Sequence, residues 1–261
     1  MKQVQSIGVV GLGKMGLTMA KTIAKGNRKV FGFDPYPPKD LPNSITLLDN
    51  LSKLVDGVDC IVIAVKPNLV EEVVRSIKSP KLILCIAAGV TTSQLKNWAV
   101  KDSRLIRVMP NLPMVSGRGA LGYTCDFDLK DIASELFSGM GQAVFISKES
   151  LMDAVTGLSG SGPAYVLTFL QAMAEAGLKE GLNFEESLLL SMETIEGTIC
   201  YFRDLKEADP AIHPMEVRNW VTSPGGTTIH GLDALERGGF STSVRDAVRA
   251  AAERSRELRE G

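Results

Sequence analysis

The sequence predicts an α/β chain in two parts: a doubly wound, mostly parallel sheet over residues 1–150, then an all-helical part over residues 151–261. Three observations carry this. Apolar runs of strand length alternate with helical patterns through the first half, the earliest of them runs into a glycine-rich turn, and no strand pattern follows about Ser150. A chain of 261 residues buries a substantial core, and its length fits one large domain or two ordinary ones.

Ile7-Gly8-Val9-Val10 reads as a buried strand that feeds Gly11-Leu12-Gly13-Lys14-Met15-Gly16 and a helical pattern through Lys25. Three glycines alone are weak evidence. Between a strand and a helix, however, they form the fingerprint of a Rossmann-type dinucleotide site. Gly11 permits the tight turn, Gly13 lets the backbone approach a pyrophosphate, and Gly16 allows close packing of helix on strand. A second strand, Lys29–Phe33, ends at Asp34, where a carboxylate accepts hydrogen bonds from an adenosine ribose. The same charge repels a 2′-phosphate by roughly 1–4 kcal/mol, depending on the local dielectric. Asp34 therefore favours NADH, while Lys39 in the following loop offsets part of the repulsion and leaves NADPH as the alternative.

Residues 60–65, 82–86 and 105–109 are continuous apolar runs separated by helical segments, the pattern of a parallel sheet covered on both faces. Ligands bind outside the C-terminal ends of such strands. Those ends are Ala64-Val65-Lys66-Pro67, Ile86-Ala87-Ala88-Gly89-Val90 and Met109-Pro110-Asn111. Each alone is an ordinary proline or glycine turn, but their repetition along one edge makes them nicotinamide contacts. A strand near 120–123, a helix from about Leu129 and a strand over 141–146 complete the sheet.

The second half opens with Gly160-Ser161-Gly162-Pro163-Ala164-Tyr165 and a long helix whose early part, 165–174, is apolar nearly all round and so expects burial on most of its circumference. It is too short to span a bilayer. About 110 residues are too few to cover it within one chain, so the sequence predicts an interlocked homodimer. Helices follow over about 184–206, 213–221, 229–237 and 244–258.

The formal net charge is −1, with acids and bases interspersed. No basic stripe points to nucleic acid and no polybasic segment to a membrane surface. The N-terminus resembles neither a signal peptide nor a spanning helix, which places the protein in the cytoplasm. Cys60, Cys85, Cys125 and Cys200 lack metal or disulfide spacing, and His213 and His230 are too few for a metal centre. No metal is expected, so redox chemistry requires an organic cofactor.

Thr222-Ser223-Pro224-Gly225-Gly226-Thr227-Thr228 reads as a helix start. Ser223 suits the N-cap and Pro224 the first helical position, which would leave the amides of Gly225, Gly226 and Thr227 as donors for a small carboxylate or phosphate. The helix field would add about 0.3–2 kcal/mol to such an anion. An ordinary capped turn is the alternative from local sequence.

Together the glycine turn, Ala64-Val65-Lys66-Pro67, Ala87-Ala88-Gly89-Val90, Met109-Pro110-Asn111, Gly160-Ser161-Gly162-Pro163-Ala164-Tyr165 and Ser223-Pro224-Gly225-Gly226-Thr227-Thr228 resemble the pyrroline-5-carboxylate reductases over nearly the full length. The resemblance implies a nucleotide-binding domain followed by a helical dimerisation domain, and reduction of a cyclic imino acid to L-proline. It also implies that Ser223, Gly226, Thr227 and Thr228 bind the substrate, with the Thr228 hydroxyl at the ring nitrogen. Gly11 to Gly16, Asn50, Ala64 to Pro67, Ile86 to Ala88 and Asn111 would then contact the cofactor. Asp34 stands where NADPH-using relatives commonly carry a small hydroxyl or a basic residue. Leu112, Arg118 and Trp220 also depart from the family pattern and bear on pocket size.

Other readings are an imine reductase for a related cyclic imine, a non-catalytic dinucleotide-binding regulator, and a 3-hydroxyacid dehydrogenase. The last of these needs a lysine early in the long helix, and residues 161–177 hold none.

Overall fold

The computed structural model describes residues 4–260. Its chain packs as two compact units, one formed by residues 1–163 with 248–261 and the other by residues 164–247.

The first unit is built on an eight-stranded sheet. In chain order it contains β1 (Ser6–Val10), α1 (Lys14–Ile23), β2 (Lys29–Phe33), β3 (Ile45–Leu47), α2 (Leu51–Gly57), β4 (Cys60–Ile63), α3 (Val70–Ser76), β5 (Leu82–Cys85), α4 (Thr92–Trp98), β6 (Arg104–Met109), β7 (Gly119–Cys125), α5 (Lys130–Leu136), β8 (Gly141–Phe145) and α6 (Met152–Val155). The strand order is β3-β2-β1-β4-β5-β6-β7-β8. The first six strands in that order run parallel, β7 runs antiparallel to β6, and β8 is parallel to β7. The sheet is thus mostly parallel, as the continuous apolar strands require. Its order reverses between β1 and β4, which opens the crevice where such sheets bind ligands.

Alternate residues of each strand feed two cores. Ile7, Val9, Val62, Leu84 and Ile106 pack with Met19 and Ile23 of α1 and with Leu136 and Phe137 at the end of α5. Val10, Ile61, Ile63, Ile83 and Leu105 pack with Leu54 of α2, Val74 of α3 and Leu95 of α4. Full burial of a side chain such as Leu54 contributes about 1.5–3 kcal/mol. Gly8 makes this layer possible, because any side chain there would overlap Leu54.

One strand was not expected. β3 is only three residues long, with Ile45 buried and Thr46 and Leu47 exposed, too short to register as an alternating pattern.

The second unit is helical and includes most of α7 (Gly162–Lys179), α8 (Phe184–Ala208), α9 (Pro214–Trp220), α10 (Thr227–Arg237) and the start of α11 (Phe240–Glu260). Asn183 and Glu186 form a reciprocal capping box that starts α8. α7 and α8 approach closely where Gly177 faces Ser187, whose hydroxyl donates to the Ala174 carbonyl at 2.7 Å. His213 caps α9, its Nδ1 accepting the Met215 amide at 3.2 Å. Within the single chain α7 buries only Ala174 fully, and Val166 and Leu167 stay more than half exposed. The all-round burial expected of 165–174 is not met by this chain alone.

The opening stretch of α10 corrects the sequence reading. Ser223 is not the N-cap and Pro224 is not helical; the helix begins three residues later, at Thr227, with Gly226 as its cap. Residues 223–226 instead form a reverse turn closed by the Gly226 amide on the Ser223 carbonyl at 3.1 Å. Proline presets the first central position, and Gly225, at φ +67°, supplies the left-handed second one. That geometry outcompetes an early helix.

Candidate active site

At the crevice between β1 and β4, Gly11 turns the chain with φ +93°, and its amide donates to the Phe33 carbonyl at 2.9 Å. A side chain at Gly11 would stand 2.6 Å from the Ala64 carbonyl oxygen. One at Gly16 would overlap the Gly11 carbonyl and lie 2.8 Å from the Ala64 methyl group. Gly13 differs from both: it is exposed, with open space where a side chain would stand. It also caps α1 without any side-chain partner, so the amides of Lys14, Met15 and Gly16 have no backbone acceptor among the described residues at the positive end of a ten-residue helix. Two closed glycines and one open one make the cradle a diphosphate needs, and a dinucleotide fits it.

Asp34 sits just past β2 and organises this cradle from behind. Its Oδ2 accepts the Leu12 amide at 2.7 Å and its Oδ1 accepts the Tyr36 amide at 2.8 Å. The Leu12 amide is thereby occupied, and the Leu12 side chain is buried in the core, so Leu12 shapes the turn from within. A carboxylate offers about four acceptor positions, which leaves room for ribose hydroxyls. Asn50 caps α2 through the Ser52 amide at 2.8 Å and is exposed.

The remaining strand ends lie along the same edge. The Ala64 amide bonds the Val10 carbonyl at 2.8 Å and the Ile86 amide bonds the Ile63 carbonyl at 3.1 Å, so the loop after β4 leaves the sheet beside the glycine turn and the loop after β5 one strand further along. Val65 and Ala88 are partly exposed, whereas Lys66 and Pro67 are exposed. Asn111 is nearly buried and already engaged: its Nδ2 donates to the Ser159 carbonyl at 3.1 Å and its Oδ1 accepts the Ala120 amide at 2.9 Å. It ties β6 to β7 and to the turn before α7.

In the second unit, the Ser223–Thr228 stretch presents donors on a different plan from the one read in the sequence. The amides of Thr227, Thr228 and Ile229 begin α10 and meet no acceptor among the described residues. The hydroxyls of Ser223, Thr227 and Thr228 likewise have no partner among the described residues. The Ser223 hydroxyl folds over Gly226 so closely that a side chain there would collide with it. Each glycine thus has its own reason: Gly225 for its dihedral, Gly226 for its lack of a Cβ. Thr228 is half-buried and Thr227 exposed. Free amides and hydroxyls at a helix N-terminus suit a carboxylate.

No group of His, Cys, Asp and Glu among the described residues could hold a metal. Burial pushes the Cys60 thiol up to about 12 and the Cys85 thiol up to about 11, so neither is a nucleophile.

Sequence reading missed a set of buried charges on and around the 149–155 segment. Arg107, 3% exposed on β6, donates to Glu149 Oε1 at 2.9 Å. Burial raises the Glu149 carboxyl, but the hydrogen bonds from the Thr92 hydroxyl and amide and the Arg107 guanidinium outweigh it and hold the group below its ordinary range. Asp153, 1% exposed, accepts from Ser255 Oγ at 2.7 Å and from Arg259 Nη1 at 2.8 Å. These partners lie 42 to 106 residues away in sequence, beyond any local pattern.

Comparison with known proteins adds to this geometry. Residues 149–258 match the family described as pyrroline-5-carboxylate reductase dimerisation, and residues 6–102 match the NAD binding domain of 6-phosphogluconate dehydrogenase. A pyrroline-5-carboxylate reductase of Methanosarcina acetivorans is 37% identical over 97% of this chain and 98% of its own length. One from Glycine max is 36% identical over 97% and 96%. The crystal structure of Plasmodium falciparum pyrroline carboxylate reductase with NADP bound superimposes with a TM-score of 0.85, at 31% identity over 99% of both chains.

Proposed function

The chain belongs to the pyrroline-5-carboxylate reductase family, and from that membership we propose that it reduces the C=N bond of 1-pyrroline-5-carboxylate to L-proline, the final step of proline biosynthesis. The observation that carries this reading is the Ser223–Thr228 turn, whose free amides and hydroxyls match a small cyclic imino acid. A reduced nicotinamide supplies the hydride. The protein's task is then to bind and orient, because a protonated imine is already electrophilic.

Ser223 and Thr227 hold the substrate carboxylate through their hydroxyls and the free amides at the start of α10, while Gly226, whose own amide closes the turn, contributes by having no side chain beneath the Ser223 hydroxyl. Thr228 is the catalytic residue, its hydroxyl accepting the N–H of the iminium and orienting the ring. No strong acid is needed when the imine arrives protonated. Gly13, Lys14, Met15 and Gly16 hold the diphosphate, Asp34 and Asn50 face the adenosine end, and Ala64 to Pro67 with Ile86 to Ala88 face the nicotinamide end. Asn111 supports that edge through its contacts with Ser159 and Ala120.

NADH is favoured over NADPH because Asp34 projects its charge where a 2′-phosphate would lie. A steady-state assay with pyrroline-5-carboxylate is expected to give a higher kcat/KM for NADH. Asp34→Ser should raise the NADPH-to-NADH ratio by about tenfold or more, given a repulsion of roughly 1–4 kcal/mol. A higher kcat/KM for NADPH in the unaltered enzyme would reject the role of Asp34. Absence of turnover with both cofactors would reject the reaction.

The helical part, 151–261, also serves assembly. Its exposed apolar side chains, among them Leu167, Leu189 and Leu190, and a groove of about 680 Å³ lined by Tyr165, Phe169, Phe240 and Val244, fit an interlocked homodimer, with further assembly built from such dimers. Sedimentation at micromolar concentration should give at least a dimer, and Leu167→Glu should weaken it. A monomeric unaltered chain would refute this. No helix among the described residues is long and apolar enough to cross a membrane. Four free thiols fit a reducing compartment such as the cytoplasm.

A further inference from the structure

The loop joining β5 to α4 is held at two points of its second half by one short segment of chain. At its far end, the Thr92 amide donates to Glu149 Oε1 at 2.6 Å and the Thr92 hydroxyl donates to Glu149 Oε2. Glu149 is itself fixed by Arg107 of β6, whose side chain is only 4% exposed. Three residues before Thr92, Gly89 adopts φ +78° against α11, and a side chain there would stand 3.4 Å from the Leu258 carbonyl oxygen. That stretch of α11 is pinned by Asp153 through Ser255 and Arg259. It is seated again at Gly157, where a side chain would stand 2.5 Å from the Val248 carbonyl. Glu149 and Asp153 lie one helical turn apart, so a single turn of backbone grips the loop directly at Thr92 and through α11 at Gly89. Neither carboxylate touches the glycine turn, whose support comes from Asp34.

We propose that Glu149 and Asp153 are positioning residues that set the 86–92 loop for the nicotinamide end of the dinucleotide. This rests on the assignment of Ile86 to Ala88 to that end of the cofactor. Plain stabilisation of the fold would loosen every part of the cofactor equally. A buttress confined to this loop acts on the nicotinamide end alone, while the adenosine diphosphate end stays on Gly13 and Asp34.

The test compares NADH with ADP-ribose, which lacks the nicotinamide, by direct titration of the full-length protein, alongside kcat and KM. Thr92→Val removes the hydroxyl contact to Glu149. Ser255→Ala removes one bond to Asp153 while keeping the Arg259 pair. Each should weaken NADH roughly fivefold, the equivalent of one hydrogen bond, and lower kcat, with ADP-ribose affinity unchanged. Glu149→Gln, which leaves Arg107 facing a neutral group, should act more strongly in the same direction; the two milder variants carry the test if it fails to fold. Parallel weakening of NADH and ADP-ribose, or no change in either, overturns the proposal. Ala88→Leu separates the two levels of the argument. If it weakens NADH selectively while Thr92→Val and Ser255→Ala do nothing, the buttress fails and the loop assignment stands. If Ala88→Leu leaves NADH unaffected, the loop assignment fails and the buttress with it.

Discussion

Thr228→Ala is expected to lower kcat by about two orders of magnitude while leaving NADH affinity and thermal stability nearly unchanged. Loss of a single positioned hydrogen-bonding group at a reacting centre typically costs about 10²-fold or more. The variant isolates that loss because the Thr228 hydroxyl bonds nothing else among the described residues, and alanine is at home in the first turn of α10. Such a substitution changes stability by only about 0.5 kcal/mol. Thr228→Ser, which restores the hydroxyl, should recover most of the rate. Equal losses in turnover and cofactor binding, or full activity in Thr228→Ala, would remove Thr228 from the imine.

Gly16→Ala should nearly abolish dinucleotide binding and destabilise the first unit, although the change adds one methyl group. That methyl would overlap the Gly11 carbonyl and lie 2.8 Å from the Ala64 side chain, and both are held by the sheet. Overpacking of this kind costs about 1–3 kcal/mol. The greater effect is functional: a displacement of the glycine turn by about 1 Å is enough to reduce productive binding roughly 100-fold. Gly13→Ala provides the contrast. At φ −64° and with open space around it, Gly13 accepts a methyl group without strain, so stability should hold while the added group intrudes on the diphosphate. Thermal unfolding and NADH titration of both variants separate these effects. Gly16→Ala binding NADH as tightly as the unaltered protein would refute the packing argument.

Much of the fold was legible because its signals are local. The turn at Gly11 lies between an apolar strand and an amphipathic helix, and strands buried on both faces announce themselves as unbroken apolar runs. β3 escaped because three residues, two of them exposed, carry no period. At Ser223-Pro224 the local rules favoured two structures, a capped helix and a proline–glycine turn. The turn won because Gly225 can take a left-handed dihedral and Gly226 can fit beneath the Ser223 hydroxyl. The amides left without acceptors among the described residues are therefore those of Thr227, Thr228 and Ile229 rather than Gly225, Gly226 and Thr227. Asp34 was read as a ligand to ribose, yet its first duty is to the Leu12 and Tyr36 amides, a long-range contact and a turn contact that composition does not reveal. Glu149 and Asp153 were invisible for the same reason: their partners sit on other strands and on the last helix.

The first unit is completed by residues of α11 that follow the helical insert, and this bears on the order of synthesis. Asp153 emerges 102 residues before Ser255 and 106 before Arg259. Until then a carboxylate destined to be 1% exposed has no counter-charge, and a buried charge that lacks its partner costs about 3–5 kcal/mol. A nascent dinucleotide unit on the ribosome can pair its sheet early, but it cannot close around Asp153 until the chain has been made through Arg259, helical insert included.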